Sequence, residues 1–418
     1  MVAIDTPLPW RCPYESGDRH HVLVIETSTP GRETVRDDPN PFVRYLDRLA
    51  VAEFARSHDL SIDRMIEVVH ELDARVARVA GTGFRTTPLV ISTELAGALG
   101  FEGRVRVKDE TNNVAGSHKA RHLFGILLHL VVAERTGSAP WVGTASRPPL
   151  AISSCGNAAI AASTLAAAAE WPIDVFIPEW AGGLVVETLD RLGARVHRCP
   201  RRPEDPPGDP TVHRFREAVA DGAIPFSVQG PENSLCLDGG RTIGWEIAEQ
   251  LSRDGVDRLD AVFVQVGGGA FAASLSRGLG EGGVQAPLVA VQTEGCAPLH
   301  RAWTKRCESA ADVASMGAEW THYMWPWESE PVSVADGILD DETYDWIVDL
   351  GEIDRTEGRV VVATEDQVKR AAELVPTIAG TDASPTGTAG VAGLVAEIES
   401  GALSGGDVLV VASGILRR

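Results

Sequence analysis

The chain has 418 residues, which is too long for one compact core and predicts two intertwined or consecutive domains. Its composition is 44% hydrophobic and 23% charged, which is typical of a globular protein and argues against a disordered scaffold. The formal net charge of −21 disfavours nucleic acid and anionic lipid as partners, because Lys and Arg drive both interactions. The N-terminus lacks a basic region followed by an apolar core, and no apolar run approaches the ~20 residues of a membrane span. We therefore expect a cytoplasmic protein that does not enter the membrane.

Cysteine and lysine are the residue types that restrict the chemistry most. The cysteines are scattered without a C-x-x-C pair, so structural thiols are expected and no metal site is predicted. The basic residues are almost all arginine. An enzyme that forms a Schiff base must therefore use one of the few lysines, which are Lys108, Lys119, Lys305 and Lys369.

Hydrophobic periodicity predicts an N-terminal arm and then a helix over Ile62–Val79. Beyond it, short β-branched runs alternate with longer helical patterns, which indicates an α/β fold with parallel sheets. The predicted strands are Arg104–Lys108, Leu150–Ser153, Asp174–Ile177, Ala261–Val266, Leu288–Gln292 and Val408–Ala412. The predicted helices are Ser117–Glu134, Asn157–Ala169, Leu184–Leu192, Asp238–Leu251, Phe271–Leu279, Glu365–Leu374 and Thr388–Ile398. The segment Trp303–Trp346, rich in Trp and acidic residues, is interpreted as a lid or an interface.

The first candidate for chemistry is a lysine in the opening turn of a helix. Lys119 follows a predicted strand and a polar turn that ends in Ser117 and His118. The positive field at a helix N-terminus lowers the pKa of an amine and favours the neutral form that attacks an aldehyde. The position suits a Schiff-base lysine, but a surface lysine beside a Ser117 cap gives the same local pattern.

Two turns that open predicted helices are candidate anion sites. The turn Ser154–Asn157 can hold a carboxylate on its backbone N–H groups, although an ordinary N-cap turn looks the same. The turn Gly267–Ala270 brings backbone amides close to an anion such as a phosphate. It also matches a dinucleotide fingerprint with Glu294 beyond the next strand, so an NAD-dependent dehydrogenase is the runner-up enzyme class.

A further strand, at the end of the sequence, delivers the hydroxyl of Ser413 at its carboxyl end. In this order and spacing, the four segments resemble the fold type II enzymes that depend on pyridoxal 5′-phosphate (PLP). That family includes threonine synthase, threonine dehydratase and the tryptophan synthase β subunit. The resemblance runs from about Thr86 to Ser413 and also covers Asp238–Leu251 and Pro385–Gly390.

The resemblance implies two domains, each with a mostly parallel twisted sheet flanked by helices, and PLP in the cleft between them. We expect residues 1–80 to form an arm and a helix that pack on the large domain. Residues 81–110 and 216–418 would form the large PLP-binding domain, and residues 111–215 a small domain inserted in the chain.

The resemblance also assigns roles to residues, with Lys119 as the catalytic Schiff-base lysine. Asn157 would bond the ring hydroxyl, the glycine turn would hold the phosphate, and Ser413 would face the pyridine nitrogen. The implied cofactor-binding residues are Lys119, Asn157, Gly267, Gly268, Gly269, Ala270 and Ser413. The implied substrate-binding residues are Ser154, Cys155, Gly156, Asn157 and His118.

We hypothesise a lyase that acts on a small amino acid with a β or γ leaving group such as hydroxyl or phosphate. The released Lys119 would remove the α-proton, and elimination would proceed through an aminoacrylate-type intermediate. A hydroxyl opposite the pyridine nitrogen favours such eliminations over transaminations. The alternative is a threonine synthase-like elimination and replacement on a phosphorylated or otherwise activated amino acid. A homodimer or higher homo-oligomer is expected because closed symmetric assemblies are common among soluble enzymes.

The sequence departs from the family pattern on the substrate side. It reads Ser117-His118-Lys119, where the family usually has Ser-Phe-Lys, and a histidine packed beside the cofactor is the expectation. Cys155 replaces a more usual serine or glycine, and Ser384 replaces an acidic residue often found in the dehydratases. These changes leave the cofactor prediction intact and the substrate open.

Overall fold

The computed structural model describes residues 2–25 and 35–417 and has an α/β architecture with two mostly parallel sheets. The predicted fold class is thereby confirmed. Within the described ranges, no helix combines the length and the apolar character needed to span a lipid bilayer. The strands are β1 (Leu89–Ile91), β2 (Glu102–Asp109), β3 (Leu150–Ser153), β4 (Ile173–Ile177), β5 (Arg195–Arg198), β6 (Ile224–Pro225), β7 (Ala261–Gln265), β8 (Leu288–Thr293), β9 (Arg359–Ala363) and β10 (Gly405–Ala412).

Helices cover both sheets and supply most of the remaining regular structure. The helices are α1 (Pro41–Arg44), α2 (Ala50–Ser57), α3 (Ile62–Ala80), α4 (Thr93–Leu99), α5 (Lys119–Arg135), α6 (Asn157–Ala168), α7 (Gly183–Arg191), α8 (Pro210–Ala220), α9 (Leu235–Arg253), α10 (Ala270–Glu281), α11 (Pro298–Ser309), α12 (Val313–Met316), α13 (Trp320–Tyr323), α14 (Trp346–Thr356), α15 (Glu365–Ala379) and α16 (Pro385–Glu399).

The larger sheet has the strand order β1-β2-β10-β7-β8-β9 and is buried on both faces. Its neighbours run parallel except for β1, which is antiparallel to β2. Successive side chains of a strand point to opposite faces. Val262 and Val264 therefore pack with α9, α10 and α14, whereas Phe263 packs with α4, α15 and α16. Each fully buried side chain of this size stabilises the fold by about 2 kcal/mol.

The smaller sheet has the order β5-β4-β3-β6 and is parallel throughout. Strand β6 pairs with β3 through Leu150 and Ile224, so this sheet continues past residue 215, where the sequence placed the end of the inserted domain. The difference arises because β6 has only 2 residues and shows no periodicity that sequence reasoning can detect.

The N-terminal helix α3 packs on helices of the inserted segment. Met65, Val68, Leu72 and Val76 share one buried cluster with apolar residues of α5 and α6. The sequence placed this helix on the large domain. Its apolar stripe predicts that one face is buried, but the stripe carries no information about which domain covers it.

Candidate active site

Parallel strands bring the predicted segments to one edge of the larger sheet. Lys119 follows β2, the turn Gly267–Ala270 follows β7, and Ser413 follows β10, which lies between these two strands. The carboxyl ends of adjacent parallel strands share an edge, which is where open α/β sheets bind ligands. The smaller sheet meets this edge too, because a Cβ atom on Gly414 would lie 2.8 Å from Nδ2 of Asn157.

Lys119 is the first residue of α5 and is half-buried. Among residues 2–25 and 35–417, its amine has no hydrogen-bond or ion-pair partner. Burial lowers the pKa of Lys119, and the nearby groups of Asp340, Cys236 and Asp345 oppose that shift. A lowered pKa increases the neutral, nucleophilic fraction of the amine.

The turn Gly267–Ala270 leads from β7 into α10 and leaves no space for a side chain at Gly267 or Gly269. Gly269 has φ +100°, a backbone conformation that favours glycine. A Cβ atom on Gly267 would collide with the carboxylate of Asp340, and one on Gly269 would collide with that of Asp349. The first backbone N–H groups of a helix lack acceptors within it, so a glycine turn at this point can cradle an anion.

Three carboxyl groups crowd this turn, and the sequence did not predict any of them. Asp340 receives a backbone hydrogen bond from Gly268, and Asp345 receives one from Ala270. Burial raises the pKa of Asp340 to about 6 and that of Asp345 to about 7. Burial also raises the pKa of Asp349 well above its ordinary value. The turn is therefore lined by carboxyl groups that hold protons at or slightly below neutral pH.

The turn Ser154–Asn157 ends β3 and opens α6. Ser154 Oγ accepts a hydrogen bond of 3.3 Å from the backbone N–H of Gly156. The side-chain oxygen of Asn157 accepts a hydrogen bond from Arg417, which leaves its NH₂ group on the side of Gly414. The Asn157 amide thus presents a donor toward the turn that follows Ser413.

Cys155 lies in the same turn but is not an activated nucleophile. Burial raises the pKa of its thiol to about 11, and the carboxylates of Asp209, Asp336 and Asp340 add to the shift. A thiol with such a pKa stays protonated at neutral pH. The same acidic residues give the surroundings of Cys155 a negative potential.

His118, which precedes Lys119 in the chain, is packed rather than exposed. Its ring stacks on Phe271 with a centroid distance of 3.7 Å and an angle of 11°. Its Nδ1 atom lies 2.6 Å from Oγ of Ser413. The sequence predicted His118 as a substrate contact, and the structure places it against Ser413 and α10.

The family of the chain follows from a comparison with known proteins. A family model described as a pyridoxal-phosphate dependent enzyme matches residues 81–414, which include every predicted site residue. The chain belongs to this family. PLP is accordingly its cofactor, as the resemblance of the sequence implied.

Individual relatives of this PLP-dependent enzyme are distant. An L-serine dehydratase of Saccharomyces cerevisiae is 27% identical over 209 residues, which are 48% of this chain and 58% of that protein. The match thus spans little more than half of that curated relative. A threonine deaminase of T.th. has a TM-score of 0.59 at 21% identity, with 84% of this chain and 98% of that chain covered. A diaminopropionate ammonia lyase of Escherichia coli has a TM-score of 0.61 at 15% identity, with 84% and 88% covered.

The residues at the sheet edge fit PLP chemically. An amine without a partner, Lys119, suits the aldehyde, and a glycine turn at a helix start suits the phosphate. The Asn157 amide offers a donor for the ring hydroxyl, and Ser413 offers a hydroxyl at the end of β10. The carboxyl groups of Asp340 and Asp345 are compatible with a neighbouring phosphate when they are protonated.

The other lysines of this PLP-dependent enzyme are committed elsewhere. Lys108 is fully buried, and its amine donates to Glu246 at 2.5 Å and to the carbonyl of Thr87 at 2.9 Å. Lys305 donates to a backbone carbonyl on the exposed surface, and Lys369 is an exposed member of a helical i,i+4 ion pair. Only Lys119 combines a partner-free amine with a position at the sheet edge within the described residues.

The glycine turn also suggested an NAD-dependent dehydrogenase, but the described residues do not favour that class of enzyme. Glu294, the candidate ribose ligand, instead accepts a hydrogen bond of 2.8 Å from the backbone N–H of Glu365 at the start of α15. The fingerprint match arises because any anion-binding turn between a strand and a helix needs similar glycines.

Proposed function

We propose that this protein is a PLP-dependent lyase that eliminates a β or γ substituent, such as hydroxyl or phosphate, from a small amino acid. The observation that carries the proposal is the partner-free amine of Lys119 at the edge where the glycine turn and Ser413 converge. The family match supports it, and so does the similarity to a serine dehydratase.

Each residue has a role that its local structure supports. PLP supplies an electron sink for a bond at the α-carbon of the bound amino acid. Lys119 would hold the cofactor through its amine and would move the α-proton of the bound amino acid. The turn Ser154–Asn157 binds the substrate carboxylate, and Asn157 donates to the ring hydroxyl. The amides of Gly267–Ala270 hold the phosphate, and the Ser413 hydroxyl faces the pyridine nitrogen.

Elimination of ammonia from a diamino acid is a second candidate. The carboxylates of Asp209, Asp336 and Asp340 interact electrostatically with Cys155 on the proposed substrate side and raise the pKa of its thiol. They would attract a second ammonium group more strongly than a neutral hydroxyl.

A threonine synthase-like replacement reaction remains the alternative within PLP chemistry, and it requires an added nucleophile such as water. We further propose a cytoplasmic homodimer.

The absorption spectrum of the purified protein tests the cofactor assignment. We expect a visible band from PLP bound at Lys119 that disappears in Lys119→Ala and persists in the control Lys369→Ala, whose lysine lies on the surface. A wild-type protein that stays colourless after addition of PLP would contradict the proposal.

A substrate panel then separates the candidate reactions. Serine, threonine, a 2,3-diamino acid and a phosphohomoserine analogue would each be added to the holoenzyme, with keto acid and ammonia as products measured. Keto acid and ammonia from serine or threonine support the hydroxyl lyase. A clear preference for the diamino acid supports ammonia elimination, and phosphate release without keto acid supports the synthase.

A further inference from the structure

His118 and Ser413 form a contact that the proposed reaction does not use. The backbone N–H of His118 lies 3.1 Å from Ser413 Oγ, and its Nδ1 atom lies 2.6 Å from the same oxygen. Both residues are buried, with 7% and 2% of their surface exposed. Two nitrogen atoms of one residue thus converge on the hydroxyl that would face the pyridine nitrogen.

The hydrogen-bonding capacity of a hydroxyl limits what this arrangement can do. A serine hydroxyl has one hydrogen to donate and two lone pairs that accept. The backbone N–H of His118 is always a donor, so it occupies one lone pair of Ser413. The ring contact has two forms, in which either Nδ1–H donates to Oγ or the hydroxyl donates to a bare Nδ1.

The other ring nitrogen decides between these forms. Nε2 of His118 is buried and has no hydrogen-bond partner among the described residues. Buried N–H groups without an acceptor are rarer in folded proteins than acceptors without a donor. The hydrogen of a neutral ring therefore belongs on Nδ1, where Ser413 accepts it, and not on Nε2.

The surroundings of His118 keep the ring neutral. Burial lowers its pKa well below the ordinary value, and the neighbouring groups of Lys119, His122 and Arg121 lower it further. The element packed on its other face, α10, presents the uncharged ring of Phe271. A single ring hydrogen is thus available, and the geometry assigns it to the contact with Ser413.

We propose that His118 is a positioning residue that fills the second lone pair of Ser413, so that the serine hydroxyl can only donate to the pyridine nitrogen of PLP. An oxygen whose lone pairs are both occupied cannot accept a hydrogen from a protonated pyridine. The pyridine nitrogen consequently stays unprotonated, which weakens the electron sink and favours elimination over transamination. This inference rests on the proposed placement of PLP at Lys119 and Ser413.

The variant His118→Phe tests the lone-pair argument directly. Phenylalanine is the residue that the family usually has at this position. Its ring can stack on Phe271 as the histidine ring does, but it has no nitrogen in place of Nδ1. Ser413 would regain a free lone pair and could accept from a protonated pyridine. Loss of the hydrogen bond from Nδ1 of His118 to Ser413 should therefore raise the pKa of the pyridine nitrogen by about one unit.

The measurement is the pH titration of the nitrogen-15 resonance of ring-labelled PLP bound to the holoenzyme. We expect an unprotonated nitrogen in the wild type, a pKa raised by about one unit in His118→Phe, and restoration in His118→Asn. The asparagine amide can place an N–H donor near the position of Nδ1. The control His129→Gln changes a buried histidine that donates to the carbonyl of Pro7 and not to Ser413.

A second readout uses the protein without cofactor. The nitrogen-15 spectrum of the His118 ring should show the hydrogen on Nδ1, and a hydrogen on Nε2 would overturn the inference. An unchanged pyridine titration in His118→Phe would overturn it as well, even if the visible band at Lys119 persists. Absence of that band in the wild type would instead contradict the proposed function, so the two failures are distinguishable.

Discussion

Asp340 and Asp345 accept hydrogen bonds from the same backbone amides that we assign to the phosphate of PLP. Their carboxylates therefore compete with the phosphate for the amides of Gly268 and Ala270. A protonated carboxyl is a weaker competitor and does not repel the phosphate. The pKa values of about 6 and about 7 place this change of charge near neutral pH.

We predict that Asp345→Asn binds PLP about tenfold more tightly than the wild type at about pH 8, which corresponds to roughly 1.4 kcal/mol. The raised pKa means that Asp345 is neutral below about pH 7 and charged above it, so the advantage of the variant should grow as the pH rises. The measurement is the dissociation constant for PLP between about pH 6 and pH 8.

The phosphate of PLP also titrates in this pH range, but it changes the dissociation constants of the wild type and the variant equally. The ratio of the two constants therefore reports on Asp345. Asp366→Asn is a suitable control because Asp366 lies in the first turn of α15, away from the glycine turn. Equal affinities of wild type and Asp345→Asn across this pH range would show that Asp345 does not compete with the phosphate.

The origin of these carboxyl groups explains why sequence reasoning missed them. Lys119, Gly267 and Ser413 each follow a strand, so strand order predicts that they meet. Asp340 and Asp345 come from the Trp-rich segment, which was interpreted as a lid or an interface, and both lie between α13 and α14 at positions outside any helix or strand. Only the acidic run Asp340-Asp-Glu beside Tyr344 was visible in the sequence, and no spacing rule connects it to a turn some 70 residues earlier.

At the scale of elements, a buried ion network joins α5 and α9 beneath the site. Arg121 on α5 donates to Glu110 at 2.9 Å and to Glu246 on α9 at 3.0 Å, and Lys108 on β2 donates to Glu246 at 2.5 Å. All four side chains are at most 1% exposed. Removing one member of such a network leaves an uncompensated buried charge, which is strongly destabilising.

We predict that Glu246→Gln lowers the free energy of unfolding by about 3 kcal/mol, because Lys108 and Arg121 lose a shared counter-charge. Denaturation in urea at neutral pH measures the change. The control Glu67→Gln breaks the exposed i,i+3 ion pair with Arg64 and should cost less than about 0.5 kcal/mol. A loss in Glu246→Gln as small as in this control would contradict the assigned importance of the network.

Sequence reasoning located most strands with a strong hydrophobic pattern, although it missed β9, whose sequence Arg359–Ala363 contains three consecutive valines. The strands β2, β3, β7 and β10 that carry the site lie where they were predicted. Strands β3, β7 and β10 contain apolar runs, as expected for parallel strands buried on both faces, whereas β2 alternates arginine and lysine with valine. Strand β5 was missed because Arg195–Arg198 is polar and largely exposed at the end of its sheet. Strand β1 was missed because it has only 3 residues.

At the scale of the whole molecule, two buried histidines couple folding to protons. His122 donates from Nδ1 to the carbonyl of Cys236 at 2.8 Å, and His129 donates from Nε2 to that of Pro7 at 2.7 Å. Burial, as the largest cause, lowers the pKa of His122 to about 3 and that of His129 to about 4. Both rings are therefore neutral in the folded protein at moderately acidic pH.

The sign of the resulting pH dependence follows from the lowered pKa values. Unfolded histidine takes up a proton near its ordinary pKa of about 6.5, whereas the folded protein excludes that proton. The two histidines therefore do not reduce the free energy of unfolding above about pH 6.5. They reduce it progressively as the pH falls from there toward their pKa values in the folded protein. At about pH 5 each histidine has cost about 2 kcal/mol, since one pKa unit corresponds to about 1.4 kcal/mol.

The double variant His122→Asn/His129→Gln should resist acid better than the wild type. Asparagine and glutamine can keep the N–H donors near Nδ1 and Nε2 without a titrating ring. We expect the free energy of unfolding of the wild type to fall by about 4 kcal/mol more than that of the variant between about pH 7 and pH 5. Urea denaturation across this range measures the difference. Buried carboxyl groups such as Asp345 have the opposite dependence but are common to both proteins, so parallel pH profiles would refute the role of the two histidines.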